Sequence, residues 1–136
     1  MANNGIVTGP GPIPDPDPPS PHVVLDSNIL DDIRKLMGPD TVSIFDQDLL
    51  IHINTFVADL TQVGVGPAAG IFVDENTTWN QLITNPMLLT QVRTYVYLKT
   101  RLVFDPPSSG FTTTALKEAA DEILWRINVD AETEEV

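Results

Sequence analysis

The longest helical pattern in the sequence runs from Asn85 to Pro107 and carries its own start and stop signals. Asn85 is a favourable N-cap, and Pro86 stands at the first helical position, where its missing N–H costs nothing. The Pro106–Pro107 pair cannot continue a helix. Between these signals apolar residues recur at helical spacing, which predicts a face that contacts more than one neighbouring helix. The stretch is predicted to be the long central helix of a small bundle, with these core positions: Leu88, Leu89, Val92, Tyr95, Val96, Leu102 and Val103.

Two segments that precede the central one also have helical periodicity. The first is predicted to be capped by Asp26 or Ser27 and to stop at Gly38–Pro39. The second is predicted to run from about Asp46 to Val63. The predicted core positions are Ile29, Leu30, Ile33, Leu36 and Met37 in the first helix and Leu49, Leu50, Ile53, Phe56, Val57 and Leu60 in the second.

A short helical turn is predicted around Trp79, between the second helix and the central one. After the proline pair, a last helix is predicted to start at Ser108 or Ser109 and to reach about Asn128. Its alanines allow close approach to the central helix. The predicted apolar stripe of this last helix consists of Phe111, Ala115, Leu116, Ala119, Ile123, Leu124 and Ile127.

The two ends of the chain differ from the middle in composition. Residues 1–24 contain seven of the twelve prolines, and alternating Pro-Asp sequences favour polyproline II without forming a core. We therefore predict an extended proline-rich arm that docks on a partner. Residues 129–136 are acidic and polar and are predicted to be a short extended tail. The expected fold is an all-α bundle, with the arm at 1–24, a helical domain at 25–128 and the tail at 129–136.

Charge and residue usage exclude several classes of protein. Nineteen acidic residues against seven basic ones give a formal net charge of −12, which repels nucleic acid rather than binding it. The absence of cysteine excludes disulfides, thiolate metal sites and a cysteine nucleophile. No apolar run is long enough to span a membrane, and the N-terminus lacks the pattern of a signal peptide.

The sequence carries no recognisable catalytic motif. It has no P-loop, no dinucleotide-binding glycine pattern, no nucleophile elbow and no zinc-protease motif. Asp46, Asp48 and His52 are the best metal candidates. Asp48 and His52 lie one helical turn apart, but a third ligand that is well placed relative to them is missing. Carboxylates in the first turn of a helix are also favoured for reasons unrelated to metals. We therefore predict neither a metal nor a cofactor nor an enzymatic activity.

A second polar pattern lies on the central helix. Arg93, Tyr97 and Arg101 follow one another at intervals of one helical turn and line a face distinct from the apolar one. Arginines of this kind bind phosphate or carboxylate groups. Because the chain is so acidic, a subunit interface with acidic neighbours is favoured over a phosphate site. These three residues are the predicted subunit interface.

Five short motifs follow one another in order within residues 27–128. They are Phe45-Asp46 with His52-Ile53-Asn54, Gln62-Val63-Gly64-Val65-Gly66-Pro67, Tyr95-Val96-Tyr97-Leu98-Lys99, Phe104-Asp105-Pro106-Pro107 and Leu124-Trp125-Arg126-Ile127-Asn128. Together they resemble the head–tail connector proteins of long-tailed bacteriophages, also called adaptor or head-completion proteins. The proline-rich arm lies outside this resemblance.

The resemblance implies a structural protein of the virion neck, made in the cytoplasm of the host bacterium. It implies a closed homo-oligomeric ring, with about twelve copies, beneath the portal protein. The ring would contact a stopper or tail-completion protein on its other side and would extend the DNA channel. DNA would pass through during ejection without specific binding, and there are no catalytic residues to transfer. The C-terminal tail is expected on the portal side.

The loop from Val65 to Asn76 is long, punctuated by glycine and carries Asp74 and Glu75. Within a ring we expect these two carboxylates to face the DNA channel or the next ring. One alternative stays open at the level of sequence: a non-viral helical interaction module whose proline-rich arm is a ligand for an SH3-like partner. The arm lacks the Arg or Lys that such ligands place near the prolines.

Overall fold

The computed structural model describes residues 25–38 and 43–135, with only the backbone described for residues 131–135. The predicted arm at 1–24 lies outside the described residues. Four α-helices occur in the described part: α1 (Ile29–Met37), α2 (Asp46–Gln62), α3 (Pro86–Phe104) and α4 (Gly110–Glu135). Two short 3₁₀ turns, Ser43–Phe45 and Trp79–Gln81, precede α2 and α3. The all-α prediction is confirmed.

Helix α3 is the centre of the bundle, as predicted, and packs against each of the other three helices. The Asn85 side chain accepts a hydrogen bond from the Met87 N–H at 2.9 Å, and Pro86 occupies the first turn. Five of the seven predicted core residues are buried, but Leu102 is only partly buried and Val103 is half-exposed, because both lie in the last turn. Leu98 and Thr100 are buried instead, since neighbours pack on more than one side of the middle turns.

Helix α2 buries the six residues that its periodicity predicts. Helix α1 is shorter than its predicted pattern, and its cap differs. Asn28, rather than Asp26 or Ser27, caps it by accepting a hydrogen bond from the Asp31 N–H at 3.1 Å. Ser27 instead lies beside the Trp79 turn, where its carbonyl accepts the Trp79 N–H at 3.1 Å. Leu36, a predicted core residue, is exposed.

The loop between α2 and α3 is held to the bundle by Asn54 of α2. The Asn54 side chain donates to the Val73 carbonyl at 2.9 Å and accepts from the Val73 N–H at 2.7 Å. Val73 itself is fully buried. A single side-chain amide therefore satisfies both backbone groups of a buried loop residue, as a neighbouring strand would.

Replacing Asn54 by alanine is expected to lower the free energy of unfolding by about 2 kcal/mol, because both backbone groups of Val73 would remain buried without partners. Denaturation by guanidinium chloride measures the change. Thr55→Ala is the matched control, since Thr55 is exposed and its hydroxyl only donates to the Ile51 carbonyl of its own helix. That control should change stability by less than about 0.5 kcal/mol. Equal losses in the two variants would contradict the role given to Asn54.

Helix α4 corrects two expectations from the sequence. It continues to Glu135 instead of ending near Asn128, so residues 129–135 are helical and not an extended tail. No glycine or proline interrupts this segment, and its alanine and glutamates favour helix. Phe111 and Ala115, predicted to be core residues, are exposed because they lie on the face turned away from α3. The fully buried contacts of α4 come from Ala120 and Ile127.

Candidate functional site

The three residues of the predicted interface do not act as one surface. Arg93 forms a bidentate ion pair with Asp32 of α1, through Nε to Oδ2 at 2.6 Å and Nη2 to Oδ1 at 2.8 Å. The Trp79 indole N–H donates to the same carboxylate at 2.8 Å. The side chains of Asp32 and Arg93 are 13% and 27% exposed. The Arg93 charge is therefore neutralised within the chain, and this residue holds α1, the Trp79 turn and α3 together.

Tyr97 and Arg101 form a separate pair one and two turns further along α3. Arg101 donates from Nη1 to the Tyr97 hydroxyl at 3.0 Å. Its Nε is buried and has no hydrogen-bond partner among the described residues. No described carboxylate lies within ion-pair distance of this guanidinium. We call Tyr97 and Arg101 the cationic face, since no carboxylate of the described residues neutralises the positive charge here.

The loop that carries Asp74 and Glu75 is ordered by its own hydrogen bonds. The Asp74 carboxylate accepts the Asn76 N–H at 2.8 Å and the Thr77 hydroxyl at 3.0 Å. These bonds, the Asn76 one foremost, hold the pKa of Asp74 below its usual value. The Glu75 carbonyl accepts a hydrogen bond from the Asn28 side chain. Both carboxylates are thus presented to solvent from a fixed backbone.

A groove of about 490 Å³ separates this loop from α2. Its walls include Ile51, which is 63% exposed, and Phe72, which is 78% exposed. Asp74 and Glu75 stand at its rim. We call these four residues the acidic groove. An apolar cleft edged by carboxylates is typical of a site that binds a cationic or amphipathic protein group.

The candidate metal residues of the sequence are not arranged around a common point. The Asp46 carboxylate accepts a hydrogen bond from Arg34 Nη1 at 2.7 Å, and Arg34 also pairs with Asp31. Within residues 25–38 and 43–130 no group of three or more potential ligands of this kind is close enough to hold a metal ion. None of the described helices is long and apolar enough to cross a membrane.

Sequence reasoning proposed Arg101, Tyr97, Asp74 and Glu75 as candidate residues but did not predict what surrounds them. Asp32 stood in the sequence as one more helix-surface acid, and Phe72 as one residue of a short apolar patch. The signal that was available for Phe72 is its position between apolar neighbours in a loop, where the two flanking side chains turn inward.

Comparison with models of protein families gives a match over most of the chain. A family model described as phage connector protein matches residues 29–134, which include the cationic face and the acidic groove. No curated protein and no solved structure shows significant similarity to the chain.

Proposed function

Since the chain belongs to the phage connector protein family, with a structural role in the neck of the virion, we propose that its copies form a ring between the portal protein and a stopper or tail-completion protein. The ring would contain about twelve copies, which close by rotation, and would extend the DNA channel. The observation that carries this proposal is the family match over nearly the whole described chain. The same match favours it over the non-viral interaction module.

The two surfaces support a role in assembly. Within the described residues, the cationic face offers an arginine that no carboxylate of its own chain neutralises, together with a tyrosine. Arginine and aromatic residues are enriched at the centres of protein interfaces. We therefore retain Tyr97 and Arg101 as subunit-interface residues. Arg93 is left out because Asp32 already occupies its guanidinium.

The acidic groove suits a protein contact better than a channel wall. A wall that DNA slides past needs negative charge, which Asp74 and Glu75 supply. A channel wall does not require exposed apolar side chains such as those of Phe72 and the neighbouring Ile51, which are typical of a protein contact. We therefore assign Asp74 and Glu75 to a protein contact of the ring rather than to its lumen. The passage of DNA without binding then rests on the net charge of −12 carried by each copy.

The proposal is tested in a phage from which this gene has been removed. We expect full capsids and separate tails that do not join, because the ring between them is missing. Supplying the parent chain from a plasmid should restore joined particles, with a ring at the neck in electron micrographs. Tailed, infectious particles that assemble without the chain would refute the proposal, as would its absence from purified virions.

A further inference from the structure

The cationic face and the acidic groove carry charges of opposite sign that the described residues leave without an ion-pair partner. Arg101 has no carboxylate partner, and the Glu75 side chain has no cationic one. The Asp74 carboxylate is bound only by an N–H and a hydroxyl, which leave its negative charge in place. Among the described residues, each surface is therefore left with a charge that a second molecule can pair with.

The two surfaces lie on opposite sides of the α2–α3 pair. Lys99 of α3 packs over the Phe56 ring of α2, with Nζ 5.4 Å from the ring centre. Arg101 follows two residues later, about 200° around the helix, so it starts from the face of α3 opposite to the one that carries Lys99. On α2 the buried Ile53 faces the core, and Ile51 is displaced by the same angle and is exposed. The groove therefore opens away from α3.

Complementary surfaces on opposite sides of one chain join copies head to tail. Such a contact is heterologous, and it closes into a ring when each copy is rotated by a constant angle. If both surfaces lay on one side, they would favour a two-fold dimer instead. The arrangement in this chain is the one that a ring of identical subunits requires.

The apolar residues of the groove add to the charge match. Phe72 and Ile51 expose their side chains beside the two carboxylates. The stem of an arginine packs on apolar surface while its guanidinium reaches a carboxylate at the edge. The groove volume of about 490 Å³ is large enough for such a side chain together with part of an aromatic ring. Arg101 with Tyr97 presents that combination.

We propose that Tyr97 and Arg101 of one copy dock in the acidic groove of the next copy, with the Arg101 guanidinium paired to Glu75 and Asp74 of the neighbour. This inference rests on the proposed ring and names the contact that closes it. Glu75 carries the test, because the Asp74 carboxylate also orders its own loop.

Charge reversal tests the pairing in the complementation system described above. Arg101→Glu alone and Glu75→Arg alone should each reduce joined particles by roughly tenfold or more, since each places like charges in contact. The chain that carries both substitutions should recover most of the loss, because the pair is restored with its signs exchanged. Failure of the double variant to recover, or normal assembly of either single variant, would overturn the pairing.

Two matched controls separate this contact from a general effect of charge. Lys117→Glu and Glu118→Arg make the same reversals on exposed positions of α4. Both should assemble like the parent chain, and all variants should keep their thermal unfolding midpoint. If the controls reduced assembly as much as Arg101→Glu does, the specific pairing would be wrong.

Crosslinking gives a second readout that does not depend on the charges. The chain has no cysteine, so Thr94→Cys beside the cationic face and Gln47→Cys in the groove wall introduce the only thiols. In assembled particles, a short bismaleimide should convert the double variant into a ladder of multimers and leave each single variant monomeric. Crosslinks from Gln47→Cys to a different neck protein would overturn the pairing. If the parent chain, without substitutions, were absent from the neck of the virion, the ring itself would be refuted.

Discussion

Replacing Asp32 by alanine is expected to lower the free energy of unfolding by about 3 kcal/mol, because removal of one partner from a largely buried ion pair leaves the other charge uncompensated. The Arg93 guanidinium would lose both of its carboxylate bonds, and the Trp79 indole N–H would lose its acceptor. Trp79 is fully buried, so water cannot readily replace that acceptor. Urea denaturation, followed by tryptophan fluorescence, measures the loss.

Asp31→Ala is the matched control for this change. Asp31 is the next residue of the same helix, and its ion pairs with Arg34 and Lys35 are at the surface. Surface pairs of this kind contribute less than about 1 kcal/mol. A loss at Asp31 as large as that at Asp32 would show that the Asp32 contacts have no special weight. The Asp32 result also bears on assembly, because substitutions of Arg93 would lower the stability of the subunit as well as alter any interface.

Gly66→Ala is the second change with a large expected effect, a loss of about 3 kcal/mol from steric overlap and backbone strain together. Gly66 has a φ of +81°, and a methyl group there would lie 2.8 Å from Leu82 Cδ1 and 2.9 Å from the Leu82 carbonyl oxygen. The side-chain atom can turn aside, but the carbonyl belongs to a buried backbone segment. Differential scanning calorimetry should show a lower thermal unfolding midpoint, and below that temperature the variant should keep the fold of the parent chain.

Gly70→Ala separates the two contributions. Gly70 lies in the same loop with a nearly equal φ of +83°, but the nearest atom to an added methyl group is Thr61 Cγ2 at 3.8 Å. The Gly70→Ala variant would have the backbone strain without the steric overlap, so its free energy of unfolding should fall by about 1 kcal/mol. If both variants lost the same free energy of unfolding, the close approach of Leu82 would not explain the glycine at position 66 of the motif Gln62-Val63-Gly64-Val65-Gly66-Pro67.

Local sequence signals predicted those parts of the fold that depend on neighbours in the chain. The N-cap at Asn85, the proline after it and the six-residue stripe of α2 were all readable, because capping and periodicity act within one or two helical turns. The last helix was predicted less well. The apolar pattern of this helix does not reveal that a single helix packs against it. Phe111 was therefore predicted to be a core residue, although it is exposed.

The contacts that organise the candidate surfaces join residues far apart in sequence. Asp32 and Arg93 are separated by 61 positions, and Asn28 reaches the Glu75 carbonyl across 47. Nothing in the composition of either segment indicates its partner, because any exposed acid could pair with any arginine. The ion pair of Arg93 with Asp32 was therefore not predicted from the sequence. Tyr97, Arg101, Asp74 and Glu75 keep an interface role as a proposal because none of their side chains forms an ion pair within the described residues.

The attachment of α4 to a single helix makes stability uneven across the subunit. Of the helices, α3 provides most of the surface on which α4 packs. Among residues 110–130 of α4, only Ala120 and Ile127 are fully shielded from solvent. The amide protons of α4 should therefore exchange with solvent through local opening of the helix. Those of α2 and α3 should exchange only through global unfolding of the subunit. A partner that bound α4 only in its folded state would raise this lower local stability by mass action. The part of the chain that is least protected in isolation is thus the part whose exchange would report most sensitively on its incorporation into a virion.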